Sequence, residues 1–245
     1  MSKGVVLVLG ARSDIARAVA LRFAAKGHPI QLAARQSESL SKDKTDIELR
    51  HKVPVTVHEF DALDVASHAA FVDALPELPR IAVSAIGFMG AQAENETDVE
   101  LAIRVMRSNY EGPASIFSHL ATRFAGRGSG TLVGISSVAG ERGRATNYIY
   151  GSAKAGFTAF LSGLRNRLAE DDVHVLTVLP GFVATRMTED MDLPERLTAK
   201  PEEVADAIVK AVAAKRNVIH VRRIWWLIML IIRNIPERIF KRMKI

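Results

Sequence analysis

The chain contains no cysteine, so neither a disulfide framework nor thiolate catalysis is open to it. Its seven histidines never form an H-x-x-x-H pair. A zinc-helix signature is therefore missing, and no metal site is expected. The opening Met-Ser-Lys-Gly leads at once into Val5-Val6-Leu7-Val8-Leu9. That run is too short and too soon interrupted for a secretory signal; it reads as a first strand, and a cytoplasmic location is expected. Internal repeats, low-complexity stretches and linkers are also absent.

A spread basic footprint is missing too. The net charge is +6, but residues 222–245 hold seven Lys/Arg against one acid, Glu237, so the whole excess lies in the tail. No nucleic-acid partner is expected from a neutral body with a tail whose centre is apolar. What is present is a chain of 245 residues, 48% apolar and 24% charged, enough for one full core.

Strand patterns fall at 5–9, 30–34, 53–60 (which alternates), 81–86, 130–136, 173–179 and 218–221. Helical patterns fall between them at 14–26, 37–50, 64–75, 97–124 (interrupted near Gly112-Pro113), 150–170 and 201–214. Strands that are apolar throughout and alternate with helices argue a parallel sheet covered on both faces. The expected class is α/β, a doubly wound Rossmann-like sheet: one domain over residues 1–221 and an apolar, basic C-terminal tail over 222–245.

Gly10-Ala11-Arg12-Ser13-Asp14-Ile15-Ala16 follows the first strand directly. In such a fold this loop aims backbone N–H groups and a helix N-terminus at a pyrophosphate. A plain strand–helix turn is the competing reading. Asp14 is unexpected beside a phosphate, unless its side chain turns away and caps the helix.

Tyr150 and Lys154 enclose Tyr-Gly-Ser-Ala-Lys, and Ser137 lies thirteen positions upstream. A free tyrosine has a pKa of about 10, so acid/base work near neutrality calls for a shift of roughly 3 units, about 4 kcal/mol. A lysine one helical turn later shares the tyrosine's face and can supply positive charge. A serine hydroxyl can hold a carbonyl oxygen. Taken alone, Tyr-x-x-x-Lys is equally a solvated surface pair.

Together these segments resemble the short-chain dehydrogenases/reductases. The resemblance runs over residues 4 to 221. It rests on Ile135-Ser136-Ser137-Val138-Ala139-Gly140, Tyr150-Gly151-Ser152-Ala153-Lys154, Ser108-Asn109-Tyr110 and Pro180-Gly181-Phe182-Val183-Ala184-Thr185. The glycine fingerprint keeps only Gly10, with Asp14 and Ala16 at the other two glycine positions, and Ser84-Ala85-Ile86-Gly87 stands where the family has NNAG.

The resemblance implies that Tyr150 is the general acid for ketone reduction and that Lys154 lowers its pKa and binds the nicotinamide ribose. Ser137 would orient the carbonyl, and Asn109 would help hold a proton-relaying water. It places Gly10, Arg12, Ser13, Asp14 and Ile15 at the phosphates and Asp61 and Ala62 at the adenine. Pro180, Gly181, Val183 and Thr185 would lie at the nicotinamide. Asp64 reads as an N-cap, and Tyr148 as pocket lining or packing. The second strand ends in Leu32-Ala33-Ala34-Arg35 without an acid. Arg35 and Arg12 could hold a 2′-phosphate, or both are solvated; NADP(H) is favoured and NAD(H) stays open. Homodimers or homotetramers built on helices 97–124 and 150–170 are implied as well.

Ile224 to Ile232 is nine consecutive apolar residues between arginines. As a helix it is about 13 Å long and cannot cross a core of about 30 Å. It either lies in a membrane interface on the inner face, or packs on the body, covers the pocket or meets a second subunit. Phe60-Asp61-Ala62-Leu63-Asp64, Ala139-Gly140-Glu141-Arg142, Tyr148-Ile149-Tyr150-Gly151-Ser152 and 232–240 are similar to the decaprenylphosphoryl-2-keto-erythro-pentose reductases within that family. That likeness implies a lipid-linked keto-pentose substrate and a flavin oxidase partner. Oxidoreduction of a soluble or acyl-type ketone, and a catalytically silent cofactor-sensing regulator, are the alternatives.

Overall fold

The computed structural model describes residues 3–243; Met1, Ser2, Lys244 (one of the tail's bases) and Ile245 lie outside the described residues. The strands are β1 (Val6–Leu9), β2 (Ile30–Ala34), β3 (Val55–Glu59), β4 (Ile81–Ser84), β5 (Gly130–Ile135), β6 (Val173–Pro180) and β7 (Val218–Val221). The helices are α1 (Asp14–Ala24), α2 (Ser41–His51), α3 (His68–Asp73), α4 (Gln92–Thr97), α5 (Val99–Met106), α6 (Gly112–Arg127), α7 (Tyr148–Arg167), α8 (Pro201–Ala213), α9 (Ile224–Asn234) and α10 (Glu237–Phe240).

All strands run parallel in the order β3-β2-β1-β4-β5-β6-β7. Both sheet faces are buried, and successive residues serve opposite cores. Val6 and Val8 pack with α1 and α8, while Leu7 and Leu9 pack with α6 and α7. This is the period-two alternation of a strand covered on both sides. The strand order reverses between β1 and β4, which opens a crevice at the carboxyl ends of those strands.

Several elements differ from the sequence expectation. The third strand shortens to Val55–Glu59. Residues 37–51 split into a 3₁₀ turn, Ser37–Leu40, and α2. The helix expected over 64–75 shrinks to a short turn and α3. Asp64 does not cap with its side chain; its carbonyl instead accepts from the N–H and hydroxyl of Ser67. The stretch expected over 97–124 starts one element earlier, with α4. Asp98 is extended and its carboxylate accepts from Leu101 N–H at 3.0 Å, so α5 begins afresh there. Pro113 has no N–H to give the preceding turn, and a π-helical turn, Arg107–Glu111, joins α5 to α6. Such turns are frequent at functional sites, and this one carries Asn109.

The tail folds back onto the body. Trp225 and Met229 of α9 are buried with Val138, Leu179 and, at the edge, Phe182 and Leu197. Arg142 donates to the carbonyls of Ile232, Arg233 and Ile235 at 2.8–3.2 Å, pairs with Glu237 at 2.8 Å, and lies 3.9 Å over the Phe240 ring. Glu141 pairs with His220 and Arg233. The segment just after Ser137 therefore anchors the tail. The other face of α9 leaves Trp226 56% and Ile231 60% exposed. No described helix is long and apolar enough to cross a membrane.

Candidate active site

The crevice begins at Gly10. Its φ of +77° is one that side chains rarely adopt, and an added Cβ would stand 3.0 Å from the Ala85 backbone. Glycine here serves both the left-handed turn and the close approach. Ser13 is the N-cap of α1, its Oγ accepting from Ala16 N–H at 3.1 Å. The cap is thus Ser13 and not Asp14, which corrects the sequence expectation. The Asp14 carboxylate instead accepts from Arg186, the backbone N–H at 2.9 Å and Nε at 3.2 Å, and Arg186 itself lines the groove. A guanidinium thus offsets the charge of this carboxylate.

Gly10, Arg12, Ser13, Arg35, Asp61 and Ala62 line one groove across the ends of β1, β2 and β4. Arg12 and Arg35 are exposed at its far end with Gln36 and Glu59. Arg12 donates to Gln36 Oε1 at 2.8 Å. Glu59 accepts from the backbone N–H groups of Gln36 and Ser37 at 2.9 and 2.8 Å; the Ser37 bond above all holds its carboxyl below the usual range. Its oxygens are occupied in shaping the turn that carries Arg35. At the other end Asp61 Oδ1 accepts from Leu63 N–H at 2.9 Å, and buried His68 lies against the Asp61 carbonyl at 3.1 Å. His68 is a positioning residue that its sequence context does not announce. The groove fits a dinucleotide. Its glycine cradle would be filled by a Cβ, it lies at the strand-order reversal, and two cations stand where β2 has no acid.

A second cleft adjoins it. Ile15, Ser137, Tyr150, Lys154, Pro180, Gly181, Val183 and Thr185 line this cleft. Tyr150 and Lys154 sit one turn apart on α7, with Lys154 Nζ 5.7 Å from the Tyr150 ring centre. Ser136 secures the helix beneath them: its hydroxyl bonds the Lys154 carbonyl at 2.9 Å and Thr158 at 2.7 Å. A Cβ on Gly140 would stand 2.6 Å from Ala155 N, so only glycine lets the Ser137 loop lie this close to α7. Val183 is fixed by a bridge to Ala199, and Thr185 by a reciprocal cap with Thr188.

Asn109 does not line the cleft. It is fully buried behind it, its amide donating to the carbonyls of Phe88 and, at 2.8 Å, Val105. It meets Lys154 at Gly87, where an added Cβ would lie 3.2 Å from Asn109 Oδ1 and 3.8 Å from Lys154 Nζ. Tyr148 is exposed at the start of α7 and takes no part in the cleft, contrary to the expectation that it lines or packs.

The electrostatics differ from the expected sign. Burial pushes Tyr150 up to about 12, and hydrogen bonding with Ser137 offsets only part of that. Burial also pulls Lys154 down to about 7, while its ammonium donates to the Ile135 carbonyl at 3.1 Å. Desolvation outweighs the neighbouring amine. Burial therefore moves the phenol's pKa away from neutrality, whereas a lysine lowering it had been expected.

Residues 4–196 match the short chain dehydrogenase family. The chain belongs to that family. It is 38% identical over 241 residues to an uncharacterized oxidoreductase of Mycobacterium tuberculosis, covering 97% of this chain and 96% of the relative. In fold it is similar to a short-chain dehydrogenase from Sphingobium yanoikuyae in complex with NADPH (TM-score 0.80, 24% identity, 96% and 97% of the two chains). It is equally similar to a bulky-bulky ketone specific alcohol dehydrogenase from Comamonas testosteroni (TM-score 0.80, 24% identity, 97% and 96%). As a member of this family the chain is an NAD(P)-dependent oxidoreductase.

Proposed function

We propose that this dehydrogenase is an NADP(H)-dependent reductase of a ketone borne on an amphiphilic substrate, the 2-keto group of a polyprenylphosphoryl pentose or a close analogue. The observation that carries this is the convergence of Ser137, Tyr150 and Lys154 in a cleft that opens beside the nucleotide groove. Arg12 and Arg35 at the far end of the groove suit a 2′-phosphate.

When bound, the reduced nicotinamide supplies a hydride to the carbonyl carbon. The Ser137 hydroxyl hydrogen-bonds the carbonyl oxygen, and the Tyr150 phenol gives that oxygen its proton, so ketone, hydride and proton balance to an alcohol. Lys154, with Asn109 behind it, returns a proton to Tyr150 through water. A phenol protonated at neutrality has the proton to give in the reductive direction.

The substrate class follows from the cleft walls. Met89, Val138, Phe182, Met187, Met191 and Trp225 give it an apolar side, and α9 covers part of it. The outward apolar face of α9, flanked by Arg223, Arg233 and Arg238, suits peripheral contact with an anionic membrane surface, from which a lipid-linked substrate would be drawn. A flavin oxidase acting on the corresponding alcohol would supply the ketone. Val99, Ile103, Met106 and Tyr110 on and after α5 are exposed, and they suit a homodimer or homotetramer contact.

A soluble or acyl-type ketone is the second reading, favoured by the burial of the inner α9 face, which needs no lipid to explain it. A silent regulator would have no use for Ser137, Tyr150 and Lys154 converging in one cleft. The test is NADPH oxidation, with NADH in parallel, against a panel of ketones that includes a short polyprenylphosphoryl 2-keto-pentose. Turnover of that compound over neutral ketones supports the reading; turnover of acyl ketones alone removes the lipid-linked substrate.

A further inference from the structure

Two polar atoms of the substrate cleft find no hydrogen-bond partner among the described residues. Arg144 Nε and Asn147 Oδ1 are both buried and have no hydrogen-bond partner. Both residues line the cleft that holds Tyr150. Burial pulls the Arg144 pKa down, and no carboxylate opposes that pull. Among the described residues no Asp or Glu lines the cleft, and its basic side chains are Arg144 and Lys154. Asn147 stands at the N-cap position of α7 yet makes no side-chain cap bond, so its amide oxygen is not committed to the helix. Arg144 is half-buried, with its Nε the buried atom that lacks a partner; an unmet buried donor is costly, and a ligand entering the cleft would complete it.

We infer that Arg144 and Asn147 form an anion subsite beside the reacting carbonyl, selecting ketones that carry a phosphate group close to the keto carbon. Arg144 presents a planar fork that matches phosphate oxygens two at a time. Asn147 Oδ1 accepts from a hydroxyl on the same substrate. The remaining walls are apolar, so the subsite recognises the head of an amphiphile. The inference rests on the reading of Tyr150 as proton donor to a ketone in this cleft. The phosphate has two sources: a soluble sugar phosphate or a polyprenyl phosphodiester.

The test uses NADP⁺-loaded protein, so that the nucleotide groove is filled and no turnover follows. Calorimetric titration with dihydroxyacetone phosphate, dihydroxyacetone and a short polyprenylphosphoryl 2-keto-pentose is compared for the wild type, Arg144→Gln, Arg144→Lys and Asn147→Ala. A melting curve with NADP⁺ verifies that each variant folds. The expected result is at least ten-fold tighter binding of a phosphate-bearing probe than of dihydroxyacetone. That preference is lost in Arg144→Gln and partly kept in Arg144→Lys, with a smaller loss in Asn147→Ala.

The probe that shows the preference identifies the source. Equal binding of the three probes by the wild type overturns the subsite, as does a preference that survives in Arg144→Gln; if that variant does not fold, Arg144→Lys binding like the wild type overturns it. The reductase reading fails separately: phosphate-dependent binding through Arg144 without NADPH oxidation would leave the subsite standing and remove the reaction.

Discussion

The indole of Trp225 occupies the space that a side chain at position 181 would need: a Cβ on Gly181 would fall 1.8 Å from its Cε2. The indole N–H donates to the Leu197 carbonyl at 3.0 Å, and Phe182 meets the ring edge-on at 5.2 Å. The turn that carries Gly181 and Phe182 and the first turn of the tail helix are therefore one packed unit. Gly181→Ala is expected to cost about 1–3 kcal/mol by overpacking, and Trp225→Ala about 3–5 kcal/mol by cavity formation. Combined, they should cost clearly less than their sum, because the second change fills the space vacated by the first. Urea unfolding of the four proteins measures this; strict additivity would show that the two residues do not touch.

Lys154 is 3% exposed, and its pKa falls from an ordinary 10.5 to about 7. Between those values the unfolded chain binds a proton that the native state does not, so native stability rises as pH rises from 7 toward 10.5. Below 7 both states are charged and the burial penalty is present in full. Lys154→Met should therefore stabilise the fold by about 2–4 kcal/mol at pH 7, with the gain shrinking toward pH 10 while activity is lost. Denaturant titrations at pH 6.5, 8 and 9.5 test it. A gain independent of pH would point to packing instead of charge.

For the cofactor, Arg35→Ala and Arg12→Ala should each weaken NADPH about ten-fold, the scale of a charge-assisted hydrogen bond, and NADH less than two-fold. Fluorescence titration of both nucleotides decides it. Equal losses for the two would remove the 2′-phosphate role.

The outward face of α9 gives a membrane prediction that spares the core. Trp226→Glu with Ile231→Glu changes only residues that are already more than half exposed. Flotation with vesicles rich in anionic lipid should lose the double variant and retain the wild type. Retention of both would leave the tail as packing alone.

Much of this molecule was legible in its residues. Apolar runs alternating with helical patterns sufficed for the parallel sheet, because β1, β2 and β4 are buried on both faces and need no polar alternation, while the edge strands β3 and β7 keep exposed positions. Tyr150, Lys154 and Ser137 were legible because a turn of helix and one strand–loop fix their spacing. Other features depend on contacts between distant segments. Asp14 finds Arg186 across 172 positions, and Trp225 finds Gly181. The π-helical turn that carries Asn109 reflects a proline's missing N–H, which reads in sequence only as an interruption. The sign of the Tyr150 shift was hidden because spacing reveals a neighbouring lysine but not how dry the place is. Arg144 and Asn147 lie in a loop without periodicity, and only their unmet hydrogen bonds mark them.

The central claim is that Tyr150 hands its proton to a bound ketone. The most direct measurement is single-turnover oxidation of NADPH at saturating ketone, in the wild type and Tyr150→Phe, with NADPH affinity measured on the same samples. The expected result is a loss of at least about a thousand-fold in the chemical step, within the range for removing a general acid, with NADPH affinity changed less than three-fold. A Tyr150→Phe protein that oxidises NADPH at the wild-type rate would contradict the account.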